Sequence, residues 1–570
     1  MSLTAFTRWG TLPAVAVIVV SWVATADAQK FDEQFSHWPV ETKINGRILI
    51  DNDVRDWGDS QPLIDRIAKN NPVACFRRES ASPLNPLGDA LKAAVGEGGS
   101  FQITPFTALP LDELKAALSS AGVVVIQSGI DQTDDLASLL KLKPQFDEFL
   151  AKGKTLVVDT PVAGLLGKVV MPNVLPAGNV LGLDLVPDSV LLCDFDDQGS
   201  SKADLLNAVT RHPRIVGIGL ERGVMLMLSG RKLTCHGSGK ATFVLAGRDP
   251  TPPRIETISP MQPGRQATQE SLLDLMEWRR DAIDRTLDPF PPTETETPLV
   301  ENGTLLIVGG GGTPRGLMNR LVELAGGNEN ARLVYVPCLE EDDARQDQGT
   351  VQEWKRMGVK HATSIHTKDR RRANSDDEFL APLKDATGIW FGGGRQWNLA
   401  DSYYGTKAHQ LMKEVLHRGG VIGGSSAGAS IQARYLARAT PIGNTSIMAP
   451  GYERGGLGFI SGVAIDQHFS QRGRQKDMTQ LISRHPQLLG IGLDEATAIV
   501  VQKSKAEVIG MGRVFFYDRR RPVPADQPDY VALPAESSYD LAQRTVLVDA
   551  TKSPDAKPAE PKTDTKKDGE

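Results

Sequence analysis

Short apolar runs alternate with helical patterns along most of the chain. In its second half, LLIVGG, ARLVYVP, GIWFGG, GVIGG and TAIVVQ (between residues 305 and 502) have strand length. Several are continuously apolar, as in a sheet buried on both faces. Between them LMNRLVELA (317–325) and AHQLMKEVLHRGG (408–420) place apolar residues at helical spacing. The second of these closes on glycines suited to a helix C-terminus. Strand–helix alternation of this kind predicts a largely parallel α/β sheet with helices on both faces.

The pattern breaks once, at DPFPPTETETP (288–298). Its prolines and alternating Thr/Glu support neither a helix period nor a buried strand. Across that break the chain repeats itself. RHPRIVGIGLERGVMLML (211–228) lies against RHPQLLGIGLDEATAIVV (484–501), and NGRILI (45–50) against NGTLLI (302–307). Gly237-Ser238-Gly239-Lys240 likewise matches Gly510-Met511-Gly512-Arg513. Each match is weak alone, but their common order predicts two copies of one module. The expected organisation is a signal peptide over 1–28, a first copy over 29–285, a linker over 286–300, a second copy over 301–550 and a disordered tail over 551–570.

Both ends read as segments outside the fold. Arg8, the apolar run Pro13–Val23 and Ala26-Asp27-Ala28 have the order of a cleavable secretory signal. That run is far shorter than the ~20 apolar residues of a membrane span. The expectation is a secreted or periplasmic protein without stable membrane insertion. The tail TKSPDAKPAEPKTDTKKDGE carries no aromatic or branched apolar residue that could offset its ordering entropy.

Composition changes the picture only by exclusion. The 570 residues carry 64 Lys+Arg against 70 Asp+Glu, which offers no basic excess for nucleic acid. Four cysteines are too few for a disulfide scaffold and show no metal-ligand spacing, although Cys193 and Cys235 could pair in an oxidising compartment. Gly309–Gly312 lacks the Lys-Ser/Thr of a P-loop, and Pro314 removes a donor N–H. No metal or other cofactor is expected.

The most informative stretch is GVIGGSSAGASIQARYLA (420–437). Gly424-Ser425-Ser426-Ala427-Gly428 fits G-x-S-x-G between an apolar strand and a helix-forming run. A sharp strand-to-helix turn there lifts the Ser426 hydroxyl clear, and the N–H of Ala427 supplies half of an oxyanion hole. On local pattern alone, a plain glycine- and serine-rich loop fits equally well. Asp466-Gln467-His468 follows the apolar run GVAI, which puts a histidine at a strand end, either as general base or as a structural residue. Asp494-Glu495 follows a glycine turn, where one of the two acids could orient an imidazole.

GGSSAGAS, IDQHFSQRGR and GIGLDEATAIVV, in that order, resemble the cyanophycinase and cyanophycinase-like serine peptidases, relatives of aspartyl dipeptidases. The resemblance runs from about Asn302 to Asp518 and implies a flavodoxin-like α/β fold of the class I glutamine-amidotransferase type. It assigns Ser426 as nucleophile, His468 as general base and Glu495 as the acid orienting it. The order Ser–His–Glu differs from that of α/β-hydrolases, which argues against a lipase or esterase. FGGGRQ (391–396) matches the family's glycine-rich loop, with Gly393 offering the second oxyanion N–H. Gln396, Asp466, Gln467, Arg472 and Arg474 match substrate-pocket positions, where the arginines could grip a carboxylate. The implied activity is hydrolysis of β-aspartyl bonds in a peptide or cyanophycin-like polymer. Asp477 stands where characterised cyanophycinases carry another arginine, and Arg395 where an acid is usual. These departures leave open an aspartyl dipeptidase or isopeptidase of other specificity. A first half without this set leaves open a non-catalytic peptide-binding protein, against which the intact Ser426, His468 and Glu495 argue.

The first copy lacks this set. Threading the positions puts Pro161 opposite Ser426, Asp194 or Phe195 opposite His468, Arg222 opposite Glu495 and Gln132 opposite Gln396. A catalytically inactive module is expected, pairing with the active one within the chain or serving to bind substrate. Homo-oligomerisation stays open.

Overall fold

The computed structural model describes residues 38–39, 43–55, 61–78, 86–106, 109–127, 133–160, 162–172, 174, 181–261, 270–342, 348–438, 441–442, 446–520, 522–524 and 526–552. The proposed signal (1–28), most of the tail, Gln132 and Pro161 lie outside these residues.

In the second half the apolar runs pair into a nine-stranded sheet. Its order is His361–Ser364, Arg332–Cys338, Gly388–Gly394, Val421–Ser425, Val300–Val308, Thr497–Lys503, Lys505–Gly510, Ser538–Asp540 and Thr545–Val548. Pairing is parallel over the first five strands and antiparallel beyond Val300–Val308. The largely parallel sheet predicted from the alternation is therefore parallel on one side only. Successive residues of a strand point to opposite faces. Leu305 and Ile307 enter one core with Leu399, Leu411 and Met412 from helices, while Leu306 and Val308 enter another with Leu321 and Trp354. Both faces are covered, which is why these strands read as unbroken apolar runs. A second sheet of five strands contains Ile460–Gln467 and Leu489–Leu493, which end at the candidate site.

The first half repeats the central part of this topology with one strand fewer in each sheet. Its eight-stranded sheet centres on Arg47–Asn52, parallel to Thr155–Asp159 and antiparallel to Val224–Ser229. Val300–Val308 stands in the same relation to Val421–Ser425 and Thr497–Lys503. A smaller four-stranded sheet again pairs two strands, Ser189–Cys193 and Val216–Leu220, in parallel. His212 and His485 both end helices with nearly identical backbone angles (φ −126°, ψ 71° and φ −126°, ψ 69°). The molecule is thus an α/β protein with flavodoxin-like sheets in each half.

The break between the halves is an ordered strap. Phe290 stacks on Tyr435 at 5.8 Å and lies under the guanidinium of Arg454, and Gln487 donates to the carbonyl of Pro292. Tight packing also joins the halves directly. In the first-half helix Leu275–Asp284, Arg280 is fully buried against the rings of Trp38 and Tyr452, and it pairs with Asp401 of the second-half helix Gln396–Tyr403. None of the four cysteines forms a disulfide. Cys193 and Cys235 stand on strands of different sheets, so the pairing open from the sequence is not made.

Candidate active site

The site is built where Val421–Ser425 runs out of the sheet. Ser426 takes φ 57° and ψ −112°, a region costly to a residue with a Cβ, and its N–H is held by the carbonyl of Val308 at 3.0 Å. The two glycines of G-x-S-x-G make this turn possible. A Cβ on Gly424 would meet the carbonyl of Gly428 at 2.3 Å, and one on Gly428 would meet that of Phe391 at 2.2 Å. The helix expected after the elbow is only one turn, Ala427–Ser430, before the chain re-enters a strand at Ala433–Tyr435. Ala427 opens that turn, so its N–H has no intrahelical acceptor. On the neighbouring strand the ladder ends at Phe391↔Gly424, leaving Gly393 past the last rung. A Cβ placed there would lie 3.4 Å from that of Ser426.

Two further strand ends deliver the other groups. His468 follows Ile460–Gln467 with φ 49°, its N–H bound to the carbonyl of Gly309 at 2.8 Å. Its Nε2 lies 2.9 Å from Ser426 Oγ, and its Nδ1 lies 2.6 Å from Glu495 Oε1. A carboxylate beside Nδ1 takes that N–H and leaves Nε2 to accept from the serine hydroxyl. The adjacent acid has a different task. Asp494 accepts from the N–H groups of Ser470 and Arg513, tying the turn after His468 to the start of the strand Arg513–Asp518, and Gln471 accepts the N–H of Glu495. His409 provides the contrast of a structural histidine. It is fully buried between the N–H of Gly405 and the carbonyl of Leu457, and burial drives its pKa down to about 3.

The residues matched to a substrate pocket divide. Arg472 is exposed. Asp466 is buried between Arg438 (2.9 Å) and Arg474 (2.7 Å), and the same Arg474 nitrogen donates to the carbonyl and side chain of Gln467. Arg438 also grips Asp477 at 2.6 Å. Burial works against the charge of Arg438, but Asp466 and Asp477 outweigh it and raise its pKa. Gln396, also buried, donates to the carbonyl of Arg438. Arg474, expected to grip a substrate carboxylate, is therefore engaged by the chain itself, because a buried carboxylate requires partners. Arg438 was not singled out from the sequence. Its only signal is the need of Asp466 for a cation. The glycines at 310 and 311 gain a specific reason as well. A Cβ on Gly310 would lie 2.4 Å from the His468 ring, and one on Gly311 2.5 Å from the Glu495 carboxylate.

The equivalent place in the first half carries different groups. Asp194 has φ 52°, like His468, and Phe195 donates to the Leu220 carbonyl as Phe469 does to that of Leu493. This removes the one-residue ambiguity and sets Asp194 opposite His468. Arg222, opposite Glu495, grips Asp194 through two nitrogens at 2.8 and 3.2 Å. The register Arg47↔Thr155 against Thr304↔Val421 puts Thr160, not Pro161, opposite Ser426. Its hydroxyl donates to Asn52, and Thr160 does not share the positive φ of Ser426.

Residues 304–509 match peptidase family S51. A cyanophycinase from Geminocystis herdmanii is 29% identical over 220 residues, spanning 38% of this chain and 80% of that protein. Another, from Trichormus variabilis, is 25% identical over 273 residues, spanning 45% and 91%. Among solved structures, a peptidase from an acI-B1 Actinobacterium aligns with a TM-score of 0.33 at 23% identity, over 43% of this chain and 98% of that one. Across residues 304–509 the second half of this chain is thus similar to the cyanophycinase-like serine peptidases of family S51.

Proposed function

We propose that the chain is an exported peptidase that hydrolyses β-aspartyl bonds in arginine-bearing aspartyl peptides, with Ser426, His468 and Glu495 as its triad. The observation carrying this reading is the continuous chain Ser426 Oγ to His468 Nε2 (2.9 Å) and His468 Nδ1 to Glu495 Oε1 (2.6 Å). His468 takes the hydroxyl proton as Oγ attacks the scissile carbonyl. The N–H groups of Ala427 and Gly393 hold the oxyanion, and the imidazolium returns its proton to the leaving amine. Water then repeats the sequence on the acyl-enzyme, with His468 again as base. Glu495 keeps the ring oriented and stabilises its charged form. The β-aspartyl preference is supported by the cyanophycinases matched above, and export by the signal-like order of residues 1–28.

The first half is proposed to be inactive. An Asp194–Arg222 ion pair in place of an imidazole and its acid leaves Thr160 without a base. Asp477 favours a second reading, a dipeptidase or isopeptidase of other side-chain preference. Bound to Arg438, it adds no positive charge for a substrate carboxylate.

The test incubates the full chain and Ser426→Ala with insoluble arginine-decorated polyaspartate, a β-Asp-Arg oligomer and an α-linked Asp peptide. Release of β-Asp-Arg by the wild type, and a loss of roughly 10⁴-fold or more in Ser426→Ala, is expected. Cleavage of small peptides alone supports the dipeptidase. No release from any aspartyl substrate refutes the β-aspartyl specificity.

A further inference from the structure

A cavity of about 1,670 Å³ lies between the two halves, and its lining does not include Ser426. Lys143 and Asp147 of the first-half helix Lys143–Ala151 line one side, together with Lys232 at the start of Lys232–Gly237. Glu340, Arg371 and Arg395 line the other. Arg395 is exposed and stands two residues past Gly393, so the cleft begins at the edge of the loop that faces Ser426.

The lining decides what kind of ligand fits. Nine acidic and eight basic residues line the cavity, among them the paired Arg231–Asp401 and Arg279–Asp188, so its walls carry both signs of charge and a polymer of one sign meets repulsion there. Pockets for single small molecules measure ~300–1,000 Å³, below the volume here. A long ligand carrying both carboxylates and cationic groups matches both size and charge.

We propose that this cleft is a binding groove for the extended part of a zwitterionic aspartyl polymer, with the first half supplying one wall. The inference rests on the β-aspartyl reading above and extends it by giving the first half a task. Exposed charges separated by solvent gain little individually, so the groove acts through many weak contacts and weakens with salt.

The experiment has a binding arm and a turnover arm. In the Ser426→Ala full chain, co-sedimentation with insoluble arginine-decorated polyaspartate is compared with binding of undecorated polyaspartate. The double variant Lys143→Glu/Lys232→Glu is expected to weaken binding of the decorated polymer about tenfold. With Ser426 present, its ratio of polymer KM to β-Asp-Arg trimer KM is expected to rise by a similar factor. Lys143→Arg/Lys232→Arg, which keeps both charges, is expected to hold the wild-type ratio and separates charge from folding damage. Unchanged binding and ratio in the Glu variants overturns the groove, as does equal binding of undecorated polyaspartate. Polymer binding that responds to the Glu variants, in a chain that hydrolyses no β-aspartyl bond, supports the groove and refutes the specificity.

Discussion

At the level of single residues, the site depends on what is missing beneath it. Gly310 has φ 96°, and its absent side chain leaves the space into which the His468 ring fits. In the first half, register sets Asp53 at this position with φ 62°, opposite a site without an imidazole. Gly310→Ala brings a methyl group to 2.4–3.0 Å from the ring atoms, so the ring must move. A displacement of that order costs about 100-fold in turnover when the ring has to meet both Ser426 and a leaving group. Gly316→Ala is the matching control. It has a similar φ of 80° with nothing within 4 Å, so it introduces strain without collision. The expected outcome is kcat lowered about 100-fold by the first change and little altered by the second, with thermal midpoints measured alongside. Equal kcat values for the two would remove the role given to Gly310.

At the level of elements, strand ends carry the proposed triad and a buried ion network holds those ends in place. Asp466 is the one acid of Ile460–Gln467, and its two guanidinium partners, Arg438 and Arg474, come from loops on either side. Asp466→Ala removes the carboxylate that both Arg438 and Arg474 bind. Breaking such a buried pair costs about 3–5 kcal/mol. In a domain of this size the unfolding midpoint falls by roughly 10 °C. Calorimetry on the full chain tests this, and an unchanged midpoint with raised KM would reassign Asp466 to direct substrate contact. Much of the arrangement was legible beforehand, because strands buried on both faces leave unbroken apolar runs and an elbow leaves small residues around its serine. Less legible were features that depend on distant partners. The antiparallel side of each sheet shows the same apolar runs as the parallel side. The helix after the elbow is cut to one turn by the strand that follows. Arg474 is held by Asp466 because of burial, which spacing does not reveal. Within the first copy, residue counting set Pro161 against Ser426, whereas the sheet register sets Thr160 there.

At the level of the whole molecule, the halves share charges that neither keeps alone. Burial opposes the ionisation of Asp401, but Arg231 and Arg280 from the first half overcome it and hold its pKa well below the usual range. The helix bearing Asp401 starts directly after the Gly393 loop, so the first half anchors an element adjoining the proposed oxyanion donors. Asp284, the last residue of Leu275–Asp284, meets the opposite fate. Burial raises its pKa to about 7, and Arg454 of the second half, 3.7 Å away, only partly offsets this. Between its unfolded value near 4 and about 7, the folded chain binds more protons at this site than the unfolded one. Stability must then fall as pH rises across that window, since the slope follows the difference in bound protons. Below the window the carboxyl is neutral in both states and the penalty vanishes, whereas above pH 7 the full penalty is present. Asp284→Asn removes the titration while keeping the shape, so its thermal midpoint should decline less between pH 4 and 7 than that of the wild type. Parallel slopes for the two proteins would show that Asp284 keeps an ordinary carboxylate pKa and that Arg454 compensates it fully across the junction.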